Sequence, residues 1–330
     1  FVAMEPQTGH VKAYVGGPSF QYFKYDMAKQ GKRQIGSTVK PFIYTFAIDH
    51  LGLSPCTPVA NVPVSIETPA GIWSPKEAGE VEYTGVHPLY WGLANSRNNY
   101  SAWIMKQAKR PEAVAEFIHD IGIKSYIDPV VALCIGSYDS NPFEMASAYS
   151  TFANKGIHVD PIFVTRIEDS QGNVLATFTP KTEDVLSKRV AYTMITMMQR
   201  VVTMGTARRM LYEFKFNDVE IAAKTGTTND NVDAWFMCAV PNLVMGVWVG
   251  GEENGIHFTR NADGSRIALP IAGKFLTKVF EDGSLGVDRT DRFERSDEVP
   301  DYSCEVEIVE ESGQTAAEED IFFGGEDDFF

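Results

Sequence analysis

Two short apolar runs, residues 1–5 and 11–15, flank Pro6-Gln7-Thr8-Gly9, a pattern that predicts a hairpin ended by Gly16-Gly17-Pro18. After a polar and aromatic stretch, residues 41–48 are apolar on several sides, as expected of a helix buried inside a domain. Residues 53–85 lose this periodicity. Rich in Pro, Gly and Thr, with a short extended run at 62–66, they read as a surface excursion. Helices are predicted over 90–109, 111–121 and 142–152, the last opened by Pro142 in a first-turn position. A hairpin is predicted from 162–167 and 174–178 around Asp169-Ser170-Gln171-Gly172, then a helix over 185–202 stopped by Gly205-Thr206. Three strands follow at 219–227, 234–240 and 243–249, the last two joined by Pro241-Asn242, and a helix at 270–281 closes the pattern. Strands at both ends with helices between them predict an α/β fold of the α+β kind. Its core is one antiparallel five-stranded sheet built from distant segments and flanked by helices, with a helical subdomain inserted over about 86–200.

Composition refines this picture. With 330 residues, 44% hydrophobic and 12% aromatic, the chain has enough apolar material for a large core. A formal net charge of -15 argues against a nucleic-acid partner, but the charge is uneven. Of the 44 acidic residues, 13 fall in residues 296–330 with no Lys or Arg, so the other 31 face all 29 basic ones. Residues 286–330 are therefore expected to form an acidic, flexible tail beyond a domain spanning 1–285. The four cysteines, Cys56, Cys134, Cys238 and Cys304, are widely spaced without a Cys-x-x-Cys pair, which predicts buried free thiols and neither a zinc site nor a dense disulfide framework. No histidine spacing suggests a metal. The tryptophans are expected in the core, with Trp73 as a candidate cleft wall, and Arg97 and Lys106 as solvated helix charges. No apolar run approaches the roughly 20 residues of a membrane span, and no signal peptide is present. Residues 1–5 already read as a strand, so the chain is expected to start inside a longer protein, with any anchor upstream.

Chemistry concentrates in three stretches. In Gln34-Ile35-Gly36-Ser37-Thr38-Val39-Lys40-Pro41-Phe42, a hydroxyl and an amine lie one helical turn apart at a helix start, so the amine is on the face of the serine. Serine needs a neighbour to take its proton, and lysine serves only when burial or a second cation keeps it neutral. Backbone N–H groups at such a helix start also favour developing negative charge. Ser96-Arg97-Asn98 and Lys224-Thr225-Gly226-Thr227-Thr228 follow, each pattern occurring once. This ordered set is the signature of penicillin-binding proteins and class A β-lactamases.

From residue 1 to about 281 the chain resembles the transpeptidase domain of a bifunctional, class A penicillin-binding protein. The resemblance rests on residues 34–42, 93–98, 142–149, Gly205-Thr206-Ala207, 224–229 and Asp233-Ala234-Trp235-Phe236. It implies the serine β-lactamase and penicillin-binding transpeptidase fold, no cofactor and no metal. It also implies peptidoglycan stem peptides as substrates, a D-Ala-D-Ala donor and an amine acceptor, with β-lactams as inhibitors. An upstream glycosyltransferase domain and a membrane anchor are expected, placing the domain on the periplasmic face of the bacterial inner membrane. In the implied roles Ser37 is the nucleophile, Lys40 its base, and Lys224 lowers the Lys40 pKa by repulsion. Ser96 relays a proton to the leaving amine, and Asn98 holds Lys40 and a substrate amide. Backbone N–H groups of Ser37 and Thr227 form the oxyanion hole. Thr225, Gly226, Thr227 and Thr228 bind substrate, the Thr225 and Thr227 hydroxyls its carboxylate, along an edge strand that the stem peptide can extend. Two departures bear on pocket width: Ala223 where the family usually has glycine, and Gly250-Gly251-Glu252 at the end of the last strand. A D,D-carboxypeptidase or β-lactamase shares the acylation site, although no Glu-x-x-Leu-Asn element follows Asn98. A sensor that acylates without turnover is the alternative from another class.

Overall fold

The computed structural model describes residues 1–299 and 304, apart from 80, 229–230, 254 and 259–261. Five strands form one sheet: β1 (Val2–Met4), β2 (Val11–Tyr14), β3 (Ala222–Thr227), β4 (Asp233–Val240) and β5 (Leu243–Gly250). Their order is β3-β4-β5-β1-β2, with every neighbouring pair antiparallel. The first strand of the chain thus lies beside the last, with Val2 opposite Gly246 and Met4 opposite Val244. Every residue of β4 is buried, which requires cover on both faces of the sheet. The same order leaves β3 at the edge.

Helices provide the cover: α1 (Lys40–His50), α2 (Leu89–Ala94), α3 (Asn98–Ala108), α4 (Pro111–Asp120), α5 (Pro142–Ala153), α6 (Lys188–Thr203) and α7 (Leu269–Glu281). Helix α5 packs on β1, β4 and β5, and α7 on β4 and β5. Helix α1 contacts α2, α3, α4 and α6, and its residues 40–48 are all buried, as its apolar faces predict. None of the helices among the described residues is long and apolar enough to cross a membrane.

The structure departs from expectation at four places. The helix predicted over 90–109 is two, α2 and α3, broken where Ser96 takes a left-handed φ of 56°. No apolar pattern encodes that break, because the strain is held by tertiary bonds to Ser96. The excursion at 53–85 is partly ordered into ribbons: Pro58–Ala60 pairs with Val86–Pro88, and Ile66–Thr68 with Gly71–Trp73. Cys134 and Cys238 are buried free thiols, as expected, but Cys56 and Cys304 form a disulfide. Chain folding brings their Cα atoms to 5.3 Å across 248 residues, a proximity that spacing cannot reveal. Finally, the acidic tail is not solvated from its start. Phe293, Ser296 and Val299 are buried, the Phe293 N–H donates to Glu220, and Glu294 pairs with Lys155 and Lys188. These few apolar residues and matched charges anchor the segment through 299, while 300–303 and 305–330 lie outside the described residues.

Candidate active site

The three chemical stretches line or underlie one cleft of about 720 Å³. A second cavity of similar volume, walled by Phe1, Trp248 and Phe275, is lined by none of the predicted site residues. Ser37 enters the cleft on a tight turn, Gly36–Val39, that runs directly into α1. Gly36 has φ 51°, and a Cβ there would lie 2.9 Å from the Thr227 carbonyl oxygen, so glycine is needed for both conformation and approach to β3. Three residues on, Lys40 is wholly buried at the first position of α1. The turn is held from behind. The Trp235 indole N–H donates to the Gln34 carbonyl at 2.9 Å. Arg33 pairs at 2.7 Å with Asp233, both side chains being buried. Asp233 also accepts from the Thr228 hydroxyl and the Trp248 indole, each at 2.9 Å. One carboxylate thus links the chain before Ser37 to β5 and to the end of β3.

Ser96 lies between two buried amines. The Lys40 Nζ donates to the Ser96 carbonyl at 2.5 Å, to Asn98 Oδ1 at 2.6 Å and to Ser96 Oγ at 3.4 Å. The Lys224 Nζ donates to Ser96 Oγ at 2.8 Å and to its neighbour's carbonyl, Thr225 O, at 2.9 Å. The left-handed backbone at Ser96 lets one residue turn its carbonyl to Lys40 and its hydroxyl to both lysines. Burial strips water from the ammonium groups, which opposes charge. It lowers the Lys40 pKa to about 7 against a rise from the Glu77 carboxylate, and pushes Lys224 well below the ordinary lysine range. Loss of solvation is the largest cause at both lysines, and repulsion between the two cations adds to the lowering of Lys224. A neutral amine can take the proton of a serine that it meets, and a hydroxyl between two amines can pass one on.

The residues expected to bind substrate divide. Thr225, Thr227 and Thr228 reach the cleft. The Thr225 hydroxyl is bonded to that of Thr206 at 2.6 Å, and Thr227 Oγ1 accepts from the Gly264 N–H at 3.2 Å. The Thr228 hydroxyl is committed to Asp233, donating to its carboxylate and accepting from its N–H at 3.0 Å, so that contact serves the scaffold. Gly226 is not on the cleft wall. A Cβ there would lie 2.8 Å from the Thr38 methyl, which makes it a packing position between β3 and the Ser37 turn. Trp73 does line the cleft. Arg97 is not a solvated charge: it donates to Asn61 Oδ1 at 3.0 Å and lies over the rings of Tyr83 and Trp91. Sequence reasoning missed residues 74–79, part of the excursion, which form another stretch of the wall. Their lack of periodicity left no signal for where they fold.

A family model described as the penicillin-binding protein transpeptidase domain matches residues 1–276. The chain belongs to this family. It is 34% identical over 275 residues to penicillin-binding protein 1A of Aquifex aeolicus, covering 82% of this chain and 36% of that protein. Penicillin-binding protein 1A of Neisseria lactamica is likewise 34% identical over 279 residues, with 82% of this chain and 34% of that protein covered. The chain therefore spans about a third of these relatives' length. Among solved structures, penicillin-binding protein 1A of Haemophilus influenzae superposes with a TM-score of 0.79 at 28% identity, covering 86% of this chain and 47% of that one. PonA1 of Mycobacterium tuberculosis gives 0.75 at 26% identity, covering 96% and 85%. The same protein solved with penicillin V gives 0.70 at 27% identity, covering 90% and 80%. The five-stranded antiparallel sheet with its helices is thus the fold of penicillin-binding transpeptidase domains.

Proposed function

We propose that this chain is the D,D-transpeptidase unit of a class A penicillin-binding protein, forming a serine acyl-enzyme at D-Ala-D-Ala and passing the acyl group to an amine of a second stem peptide. The observation that carries this reading is Ser96 Oγ held between the Lys40 and Lys224 amines, with Ser37 one turn before Lys40. Neutral Lys40 takes the Ser37 proton as the oxygen attacks the carbonyl of the penultimate D-Ala. Negative charge developing on that carbonyl is stabilised by the backbone N–H groups of Ser37 and Thr227. As the C–N bond breaks, the leaving D-Ala nitrogen takes a proton from Ser96, which is resupplied from the lysines. The acceptor amine then attacks the ester, loses its proton to the same base, and Ser37 is restored. Edge strand β3 offers the donor peptide backbone partners, while Thr225 and Thr227 meet its carboxylate. Asn98 holds Lys40 and meets a substrate amide.

The family match over residues 1–276 supports a catalytic unit at 1–285, and helices α2 to α6, between Leu89 and Thr203, support a helical part at 86–200. The class A relatives support an upstream glycosyltransferase domain and an anchor that place this unit at the periplasmic face of the inner membrane. The deciding experiment incubates the protein with labelled penicillin and follows the adduct by intact mass. A long-lived adduct on Ser37, with transfer of a D-Ala-D-Ala donor to an added amine, is expected. Rapid release would indicate a β-lactamase, release of the donor to water alone a carboxypeptidase, and an adduct without any transfer a sensor.

A further inference from the structure

Helix α3 starts at Asn98, and its preceding residue, Arg97, supplies no side-chain cap. The cap comes instead from the excursion. Glu77 Oε2 accepts from the Asn98 N–H at 3.0 Å and Oε1 from the Asn99 N–H at 2.7 Å, so both carboxylate oxygens close orphan donors where the helix dipole favours negative charge. The preceding carbonyl, Lys76 O, accepts from Asn98 Nδ2 at 2.6 Å. With its nitrogen held there, the Asn98 amide has one orientation left, and its Oδ1 meets the Lys40 ammonium.

We propose that Glu77 is a positioning residue of this site, holding Asn98 and through it Lys40, with its carboxylate one hydrogen-bonded residue away from that amine. This rests on the serine acyl-enzyme reading above. The groups facing Lys40 identify the carboxylate as the distinctive one. Ser96 and Asn98 accept its hydrogens, Lys224 approaches the same Ser96 hydroxyl, and Arg97 disfavours its charge. The Cys134 thiol, pushed up to about 12 by burial, is uncharged at neutral pH. Glu77 is first among the influences that favour the ammonium, against a larger loss of solvation. Among the described residues it has no ion-pair partner to dilute that effect. When Lys40 receives the Ser37 proton, Glu77 stabilises the cation that forms; when Lys40 gives a proton up towards the leaving amine, Asn98 keeps the amine in place.

The test is the rate of acylation by a chromogenic penicillin between pH 5 and 9 for the wild type, Glu77→Gln and Glu77→Asp, with melting curves alongside. A base acts from its neutral form, so removing the carboxylate shifts the rising limb to lower pH. For Glu77→Gln we expect the midpoint to fall by about half a unit or more and the rate at pH 8 to fall about tenfold. Glu77→Asp keeps the charge with a shorter reach, so its rate falls while its midpoint stays within about 0.2 units of the wild type. A Glu77→Gln midpoint equal to the wild type overturns the inference whatever the rate, because a cap alone changes rate and melting but not the limb. Should Glu77→Gln fold poorly, a Glu77→Asp midpoint that moves by half a unit overturns it equally. A wild type that is never acylated removes the acyl-enzyme reading and this inference together, and so is distinguishable from an unmoved midpoint.

Discussion

At the residue scale, the proposed chemistry turns on two amines that ordinarily carry charge being kept partly neutral by burial. Ser37→Ala should abolish covalent labelling by penicillin and leave the melting curve in place, since it removes one half-buried oxygen; an adduct on the mutant by intact mass would refute the assignment. Lys40→Arg keeps the charge but loses the reaction. A guanidinium does not give up its proton, so acylation should fall by about a hundredfold or more. Persistence within about tenfold of the wild type would move the base to Lys224. The pH dependence has a definite sign: with the Lys40 pKa near 7, the neutral fraction and hence the acylation rate rise as pH rises through about 7 and level off above it. A rate that falls over the same interval in stopped-flow measurements would exclude neutral Lys40 as the base.

At the scale of elements, the site is a junction between the start of α1, the break between α2 and α3, and the edge strand β3. Arg33 and Asp233 form a clamp that fixes the first of these against the sheet. Removing one partner of a buried pair leaves the other charge uncompensated, at a cost of about 3–5 kcal/mol. Asp233→Ala should therefore lower the melting temperature by about 5–15 °C and slow acylation by letting the Ser37 turn relax from Thr227. A shift below about 2 °C in circular-dichroism melting would show that the clamp does not hold the turn. The broken helix is the clearest case of local preference yielding to tertiary demand. Residues 90–109 pattern as one helix, but Ser96 must turn its carbonyl to Lys40 and its hydroxyl towards Lys224, and a continuing helix would have tied that carbonyl to its own next turn.

For the whole molecule, the Cys56–Cys304 disulfide joins the excursion to the acidic segment. The loop it closes is long, and such a crosslink stabilises by about 2–4 kcal/mol through the unfolded state. Truncation of residues 296–330 removes this bond together with buried Ser296 and Val299, so the melting temperature should fall by more than about 4 °C. The acylation rate at 25 °C should stay within about threefold, because none of the described residues of this segment lines the cleft. Cys304→Ser, compared with the wild type in reducing and oxidising buffer, separates the two contributions. Equal melting temperatures in both buffers would show that the disulfide adds nothing.

What the sequence determined by itself was what repeats locally or recurs as an ordered motif. Apolar runs marked the five strands and the buried helix after Ser37, since period and burial are written into neighbouring residues. Three short motifs marked Ser37, Lys40, Ser96, Asn98, Lys224, Thr225 and Thr227, which the fold gathers at or beneath one cleft. Only the tertiary structure decided what depends on distance between remote segments. It aimed Ser96 at two lysines, committed Thr228 to Asp233 and turned Gly226 into packing. It also paired Cys56 with Cys304 and brought Glu77 from an aperiodic excursion to cap α3. Hydrogen bonds, desolvation and close backbone approach act over a few ångströms of space, whatever the separation along the chain.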